Sequence, residues 1–219
     1  MSGLLSSSIA RKYAMSLSAL FLISFLTLHV AVNLLSVCSP EAYNTASHFM
    51  GTNPLIQFAM QPILLIGVIF HFVLGFVLEL KNRKAQGVRY VKNNGAANST
   101  WASRNMILSG AVILLFILVH FIDFWIPEMN YKYIQGLPEA PSRYYPELVE
   151  KFHNPIKVGV YVVAFIFLSL HLLHGFNSAF QSIGLNNKYT KGFKKIAIAF
   201  SIIVPASFIF IALFHHFNH

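Results

Sequence analysis

Charged residues are scarce in this sequence, in which Asp, Glu, Lys and Arg together make up 11% of 219 residues. Soluble domains usually carry about 25%, so this chain has too few charges to cover a surface in water. Apolar residues make up 56% of it, and the mean hydropathy is +0.60. These values exclude an ordinary soluble protein and indicate an integral membrane protein.

Cysteine is nearly absent, because Cys38 is the only one. A single cysteine excludes an intrachain disulfide and a metal cluster built on cysteines. The stretch that ends at Cys38 faintly resembles a lipoprotein cleavage site, but Val37 is large for the position before the cut. The apolar run before it is also longer than a signal-peptide core of about 7–15 residues, so we expect a retained membrane helix.

Acidic residues are also few, with seven Asp and Glu against 16 Lys and Arg and a net charge of +9. The basic residues form short clusters between apolar runs, which indicates membrane topology rather than a nucleic-acid-binding face. Twelve of the 16 lie at the N-terminus or in the second and fourth links: Arg11, Lys12, Lys81, Arg83, Lys84, Arg89, Lys92, Arg104, Lys188, Lys191, Lys194 and Lys195. By the positive-inside rule we expect a cytoplasmic N-terminus, a C-terminus outside, and no nucleic-acid partner.

Five apolar segments of about 20 residues or more predict membrane-spanning helices at 14–36, 56–79, 105–126, 156–180 and 194–216. About 20 helical residues cross a hydrocarbon core of about 30 Å, and these runs lack the alternation of barrel strands. The predicted fold is an all-α integral membrane protein with five transmembrane helices and one membrane domain over residues 1–219. The third link, roughly 127–155, contains five prolines. Its segment PELVEKF predicts a short surface helix.

Histidines inside the predicted spans are the most informative residues of the chain. Ionisable residues within a membrane are rare and usually functional, although a lone histidine is often only a structural hydrogen-bonder. Histidines in four consecutive spans weaken that alternative: His29, His71, His120, His171 and His174. The other five lie in links or at helix ends and need no functional explanation: His48, His153, His215, His216 and His219.

Four of these histidines form two level pairs when depth is counted at about 1.5 Å per residue. His29 and His120 each lie about 25 Å beyond the inner edges of the first and third spans. His71 and His171 lie as far from the outer edges of the second and fourth spans, which run the other way. In a slab of about 40 Å, we expect the two levels to be on the order of 10 Å apart. His174 lies deeper than His171 and about 60° around the helix, so we expect it not to be a ligand.

Two facing histidines at one depth suit a single metal ion with two axial ligands, since imidazole binds iron, copper and zinc. A structural zinc ion would need four ligands together, whereas a haem supplies four nitrogens of its own. The pattern H-x-x-x-G-F begins at His71 and at His171, so Gly75 and Gly175 would leave room for a porphyrin on each ligand's own helix face. Small residues that only promote helix packing are the alternative. We expect a haem-binding four-helix bundle with two haems, plus a fifth helix.

No nucleotide or flavin fingerprint is present in the sequence. Electrons in two such haems would therefore pass between an extrinsic protein partner and a lipid-soluble carrier. A quinone is the best candidate for that carrier.

Four stretches carry a family resemblance: SLSALFLISFLTLHVAVNLL, FHFVLGF, LVHFIDFW and HLLHGFNSAFQSIGL, one in each of the first four spans. They resemble the diheme cytochrome b membrane anchor of bacterial succinate dehydrogenase and fumarate reductase, in its single-chain, five-helix form. The resemblance covers nearly the whole chain. It implies an outer haem ligated by His29 and His120, and an inner haem ligated by His71 and His171.

The resemblance also implies partners and a place in metabolism. A flavoprotein subunit that interconverts succinate and fumarate, and an iron–sulfur subunit, would bind at the cytoplasmic face, with menaquinone as the quinone. The chain would be the quinone-reactive anchor of respiratory complex II, in the tricarboxylic acid cycle, in the bacterial cytoplasmic membrane. Some related fumarate reductases have a glutamate that assists proton movement two residues before the fourth ligand. Ser169 occupies that place here, so a proton path of that kind is not expected.

Two polar residues near the outer pair are candidates for a quinone site. Asp123, three residues after His120, could exchange a proton with a quinone, but we favour an interfacial acid close to water. Asn33 could hydrogen-bond a quinone or a neighbouring helix.

Polar residues near the inner pair are candidates for contacts with haem propionates. They are Ser16 and Ser18 at the start of the first span, and Trp101 and Arg104 in the second link. The alternatives are that the serines are ordinary helix-start residues, that Trp101 is an interfacial aromatic residue, and that Arg104 is a charge that sets membrane topology.

Two other functions stay open at this point. A cytochrome b anchor of a hydrogenase or formate dehydrogenase would carry similar haems but bind other subunits. A transporter could use the intramembrane histidines as a proton or metal relay.

Overall fold

The structure is a computed structural model that describes residues 7–85, 105–182, 184 and 190–218. Five of its helices are long and apolar enough to cross a membrane: Ser8–Cys38, Ile56–Lys84, Met106–Ile134, Pro155–Ser182 and Thr190–Phe217. The described residues contain no strand, and the prediction of an all-α membrane protein with five spanning helices is confirmed. Trp101 and Arg104 lie outside the described residues.

We number the helices along the chain as α1 (Ser8–Cys38), α2 (Pro40–Thr52), α3 (Gln61–Ala85), α4 (Met106–His120), α5 (Tyr144–Phe152), α6 (Pro155–Ser182) and α7 (Thr190–Phe217). A π-helical turn, Ile56–Met60, leads into α3. The third spanning helix continues from α4 through a π turn at Phe121–Trp125, an α-helical turn at Ile126–Met129 and a second π turn at Asn130–Ile134.

The third spanning helix ends at Ile134, about eight residues beyond its predicted end. Pro127 would normally end or kink a helix, because it has no N–H and its ring crowds the carbonyl four residues back. Here the N–H of Ile126 bonds the carbonyl of Phe121, five residues back, which gives a wider π turn. Pro127 then falls in the first turn of the next helical segment, where a missing N–H costs little.

The links on one side of the bundle contain two further helices. α2 was not predicted, although its start signal is visible in the sequence, since Pro40 is its first residue and Ser39 Oγ accepts a bond of 3.2 Å from the Ala42 N–H. Serine caps and first-turn prolines are typical of helix starts. α5 confirms the short helix predicted from PELVEKF, and it buries Leu148 and Phe152.

α6 lies at the centre of the bundle, where it packs against α1, α4 and α7. The core on α6 and α7 includes Tyr161, Phe165, Phe208 and Ile211, each at most 7% exposed. α3 packs on α1 and α4 and leaves many apolar side chains exposed. That distribution is typical of a helix whose outer side faces lipid.

The two ends of the bundle differ in character. We call one the basic end, where Arg11, Lys84 and Lys194 lie. The other is the capped end, which α2 and α5 cover. A hydrogen bond of 2.8 Å from the Tyr145 N–H to Asn44 Oδ1 joins these two helices.

An ion network holds the capped end together. The Glu128 carboxylate pairs with Lys132 at 2.5 Å and also with Arg143. Nη1 of Arg143 lies 3.0 Å from both carboxylate oxygens of Glu147. Lys132 in turn donates to the Gly51 carbonyl of α2. The network therefore ties α2 and α5 to the end of the third spanning helix.

Candidate functional site

His29 of α1 and His120 of α4 lie side by side near the capped end, and we call them the capped-end pair. Their ring centroids are 5.8 Å apart and their planes are nearly perpendicular, at 89°. Aromatic rings surround them, with Phe25 stacked on His29 at 5.2 Å and Phe124 at 5.1 Å from His120. Phe208 of α7 lies 5.6 Å from His29. The surroundings are largely apolar.

His71 of α3 and His171 of α6 form a second pair nearer the basic end, which we call the basic-end pair. Their ring centroids are 6.4 Å apart and their planes meet at 68°. The structure thus brings together the same two pairs that the depth argument predicts from the sequence.

Helix geometry gives the spacing between the two pairs. Ser18 contacts His71 and Ser109 contacts His171, so these serines mark the level of the basic-end pair on α1 and α4. Each lies eleven residues before the histidine of its own helix. At 1.5 Å per residue the two levels are about 16 Å apart. This is more than the spacing of about 10 Å expected from the sequence. The sequence estimate counted residues from the predicted ends of the spans, and the helices of the structure end at other residues.

Each ring of the basic-end pair is held by a serine from a neighbouring helix. Ser18 Oγ lies 2.9 Å from Nδ1 of His71, and Ser109 Oγ lies 3.2 Å from Nδ1 of His171. In both cases the held atom is Nδ1, so Nε2 is the ring nitrogen without a serine contact. Metal-binding histidines commonly have this arrangement, in which the second nitrogen bonds a neighbour and fixes the ring.

The capped-end pair differs in this respect. Nδ1 of His120 is buried and has no hydrogen-bond partner among the described residues. A buried polar atom without a bond costs about 1–3 kcal/mol, so such an atom in a native fold points to a ligand or an ordered water.

The separation of the rings fits one metal ion in each pair. A metal–imidazole bond is about 2 Å long and the ring centre lies about 1 Å further on, so two rings on opposite sides of one metal have centres about 6 Å apart. The measured 5.8 and 6.4 Å match that value. No group of three or more His, Cys, Asp or Glu is placed to hold a metal ion in the described part of the chain. A metal here would take its remaining ligands from outside the protein, as iron does in haem.

Glycines border the basic-end pair on both sides. A Cβ on Gly75 would lie 3.3 Å from the methyl carbon of Met15, and a Cβ on Gly175 would lie 3.2 Å from that of Met106. The two faces predicted to admit a porphyrin are therefore in contact with the ends of flexible methionines. Methionine adapts easily to a change in its surroundings, so the side chain that fills the space beside each glycine is one that can move.

α1 and α4 share a spaced pattern, M-x2-S-x6-F-x3-H, that was not recognised from the sequence. Its residues are Met15, Ser18, Phe25 and His29 in α1, and Met106, Ser109, Phe116 and His120 in α4. Each type makes the same contact in both helices: methionine with glycine, serine with histidine, and phenylalanine with its own helix's histidine. With H-x-x-x-G in α3 and α6, the site is built from two similar helix pairs.

Asp123 is buried, at 7% exposure, so its carboxylate lies among protein groups and not at an open surface. Its carboxylate accepts a hydrogen bond of 2.6 Å from Lys157 Nζ and one of 2.8 Å from the Tyr161 hydroxyl. Asp123 lies in the π turn after His120, and both of its partners come from α6. The Tyr161 ring lies 6.4 Å from the His120 ring. A polar group thus adjoins the capped-end pair.

Other candidate residues bond within the protein. Asn33 Nδ2 donates to the His29 carbonyl of its own helix at 2.8 Å, and Ser16 Oγ donates to the Lys12 carbonyl at 2.9 Å. Ser169 Oγ donates to the Ser201 carbonyl of α7 at 2.7 Å.

Two further histidines, His174 and His215, lie outside the two pairs. His174 has no hydrogen-bond partner for its ring in the described ranges. His215, at a helix end, was expected to need no functional explanation, but it is only 2% exposed. Its Nε2 lies 2.8 Å from Ser36 Oγ, and its ring lies 5.6 Å from that of Tyr145. Its contact with Ser36 joins α7 to α1.

The hydroxyl of Tyr144 lies beside the Glu128 carboxylate at the capped end. Burial and the nearby Glu128 carboxylate raise the pKa of Tyr144 to about 12, so its hydroxyl stays protonated and can donate to Glu128 at 3.4 Å.

Comparisons with protein-family models, curated proteins and solved structures found no match to this chain.

Proposed function

We propose that this chain is the membrane anchor and electron-transfer subunit of a succinate:quinone oxidoreductase. In this proposal it binds two haems b, with His29 and His120 ligating one and His71 and His171 ligating the other. It would pass electrons between an iron–sulfur subunit and menaquinone in the bacterial cytoplasmic membrane. The observation that carries the proposal is the pairing of four intramembrane histidines at ring separations of 5.8 and 6.4 Å.

A haem bound in each pair would accept and release single electrons. The protein's part is to hold the imidazoles and keep water away from them, which burial and ligation together achieve in such sites. At the capped-end pair, the rings of Phe25, Phe124 and Phe208 surround the imidazoles and would keep water away from them. At the basic-end pair, Ser18 and Ser109 fix the rings.

The charges of the chain support the proposed side for the partner subunits. Arg11, Lys84 and Lys194 place positive charge at the basic end, which the positive-inside rule assigns to the cytoplasm. An iron–sulfur subunit and its flavoprotein would bind there, beside the basic-end pair. The capped end would then face outward, and Asp123 with Asn33 stay the candidates for a quinone contact beside the capped-end pair.

An optical spectrum of the purified chain tests the proposal. We expect b-type haem bands on reduction with dithionite, and two haems per chain by pyridine haemochrome assay. The double variant His29→Ala/His120→Ala and the double variant His71→Ala/His171→Ala should each retain one haem. A purified, folded chain without haem bands would overturn the proposal and favour a transporter with a histidine relay.

Copurification separates the proposal from the other electron-transfer candidate. Gentle solubilisation of membranes should yield the chain together with a flavoprotein that oxidises succinate or reduces fumarate. Recovery of a hydrogenase or formate dehydrogenase in its place would retain the haems but contradict the proposed complex.

A further inference from the structure

The hydroxyl hydrogens of Ser18 and Ser109 have a second acceptor besides the histidines. Ser18 Oγ lies 2.9 Å from the Met15 carbonyl of its own helix, and Ser109 Oγ lies 2.9 Å from the Met106 carbonyl. A serine hydroxyl has one hydrogen and two lone pairs. If that hydrogen is given to the carbonyl three residues back, the oxygen can only accept from the histidine.

The tautomer of each histidine follows from this count of hydrogens. A neutral imidazole carries one hydrogen, on either Nδ1 or Nε2. If Nδ1 of His71 and of His171 donates to a serine oxygen, each Nε2 is left with a free lone pair. A metal ion binds an imidazole only through such a lone pair.

We propose that Ser18 and Ser109 are positioning residues that hold His71 and His171 in the Nδ1–H tautomer and so present Nε2 to the metal of the basic-end haem. This inference rests on the proposed function and adds two residues to it. It also predicts a chemical difference between the haems, because His120 has no such partner in the described residues. A bond from Nδ1–H to an acceptor makes an imidazole a stronger ligand, which favours oxidised iron and lowers the midpoint potential.

The packing around these serines fits this role. Gly110 follows Ser109, and a Cβ there would lie 3.6 Å from Cε1 of His171, so the ring lies close against α4. The pairing of serine and histidine by itself does not mark a ligand, because Ser36 also holds Nε2 of His215 at 2.8 Å, where Tyr145 and Phe214 are neighbouring rings. Ser36 likewise donates to a carbonyl three residues back, that of Asn33 at 2.6 Å. That contact provides a matched control.

The test is a redox titration of the full chain in its complex, followed optically for both haems. Ser18→Ala and Ser109→Ala should each raise the midpoint potential of one haem and weaken its retention by about 10- to 100-fold, the usual effect of removing such a partner. The same haem should respond to both variants. Ser18→Thr and Ser109→Thr, which keep the hydroxyl, should restore the wild-type values.

Two control variants separate positioning from general packing. Ser24→Ala removes an exposed hydroxyl that donates to the Phe21 carbonyl, three residues back, and Ser36→Ala breaks the pair with His215. Neither should move either potential. The inference is overturned if Ser18→Ala and Ser109→Ala leave both potentials unchanged, if they move both haems equally, or if the threonine variants lose the haem as readily as the alanine variants. A wild-type chain without haem would instead overturn the proposed function itself.

Discussion

At the scale of single residues, the ring nitrogens of the paired histidines have unequal surroundings. His71 and His171 each have one nitrogen held by a serine, whereas Nδ1 of His120 is buried without a partner among the described residues. His174 is only three residues from His171, yet it points about 60° away around the helix. Distance along the sequence therefore does not decide which histidines share a site.

The difference between His171 and His174 gives a direct test of the ligand assignment. We expect His171→Ala to lose the basic-end haem, because its ring lies 6.4 Å from that of His71. His174→Ala should largely keep both haems. Haem content and the reduced-minus-oxidised spectrum of each purified variant measure this, and equal retention in the two variants would contradict the assignment.

Asp123 is a second residue whose role can be tested alone. Asp123→Ala removes the acceptor for the buried Tyr161 hydroxyl and the partner of Lys157. We expect a loss of about 1–3 kcal/mol of stability, the usual cost of an unsatisfied buried group. The Lys157 side chain is 28% exposed, so solvent limits what the ion pair itself contributes.

Thermal unfolding in detergent, followed by circular dichroism, measures that loss. Asp123→Asn keeps an oxygen for Tyr161 and should be less destabilised than Asp123→Ala. Glu150→Ala, at an exposed position of α5, is the control and should change little. If Asp123→Ala unfolds at the wild-type temperature, the contact with Tyr161 contributes nothing to the fold.

At the scale of elements, close approach between helices decides where small residues are needed. α1 and α3 meet at Gly67, where a Cβ would lie only 2.8 Å from Cε1 of Phe21. The π turn at Phe121–Trp125 is a second local device, because it carries the helix past Pro127 and contains the buried Asp123. Hydropathy locates both segments in a membrane helix, but it reports neither the glycine contact nor the change in helical turn.

Gly67→Ala tests the packing of α1 on α3. We expect a loss of about 1–3 kcal/mol, because overpacking forces the ring or the backbone to move. Gly159→Ala is the matched control in α6, since a Cβ there meets nothing within 4 Å, and alanine favours a helix more than glycine does. Unfolding in mixed micelles with increasing SDS gives both values. Equal stability of the two variants would show that α1 and α3 are not so closely packed.

At the scale of the whole molecule, the spanning helices place the two histidine pairs about 16 Å apart along the helix axis, one toward each end. The basic end carries the positive charges of Arg11, Lys84 and Lys194. The capped end is covered by α2, by α5 and by the ion network around Glu128. A site at each depth is what the proposed electron transfer across part of a membrane requires.

The lone cysteine allows a test of orientation. Cys38 is exposed and ends α1 at the capped end. If the positive-inside rule holds, a membrane-impermeant maleimide added to intact cells should label Cys38 from outside. Gln181→Cys in a Cys38→Ser background, exposed at the basic end of α6, should be labelled only after the cells are opened. The reverse pattern would invert the proposed topology.

The sequence alone determined the helices and the pairing of histidines by depth. Long apolar runs predict spanning helices because the bilayer has a fixed thickness, and the constant rise per residue turns a position in the sequence into a depth. His29 with His120 and His71 with His171 are therefore predictable as neighbours. The shared pattern of α1 and α4 was also present in the sequence and was overlooked.

Only the tertiary structure decided which side chains meet across helices. The contact of Ser18 with His71 joins residues 53 apart, and that of Tyr161 with Asp123 joins residues 38 apart. The rotation of each helix about its axis and the choice of its neighbours depend on packing over the whole bundle, which no local pattern encodes. For the same reason the burial of Asp123 and of His215 could not be read from their places in the chain.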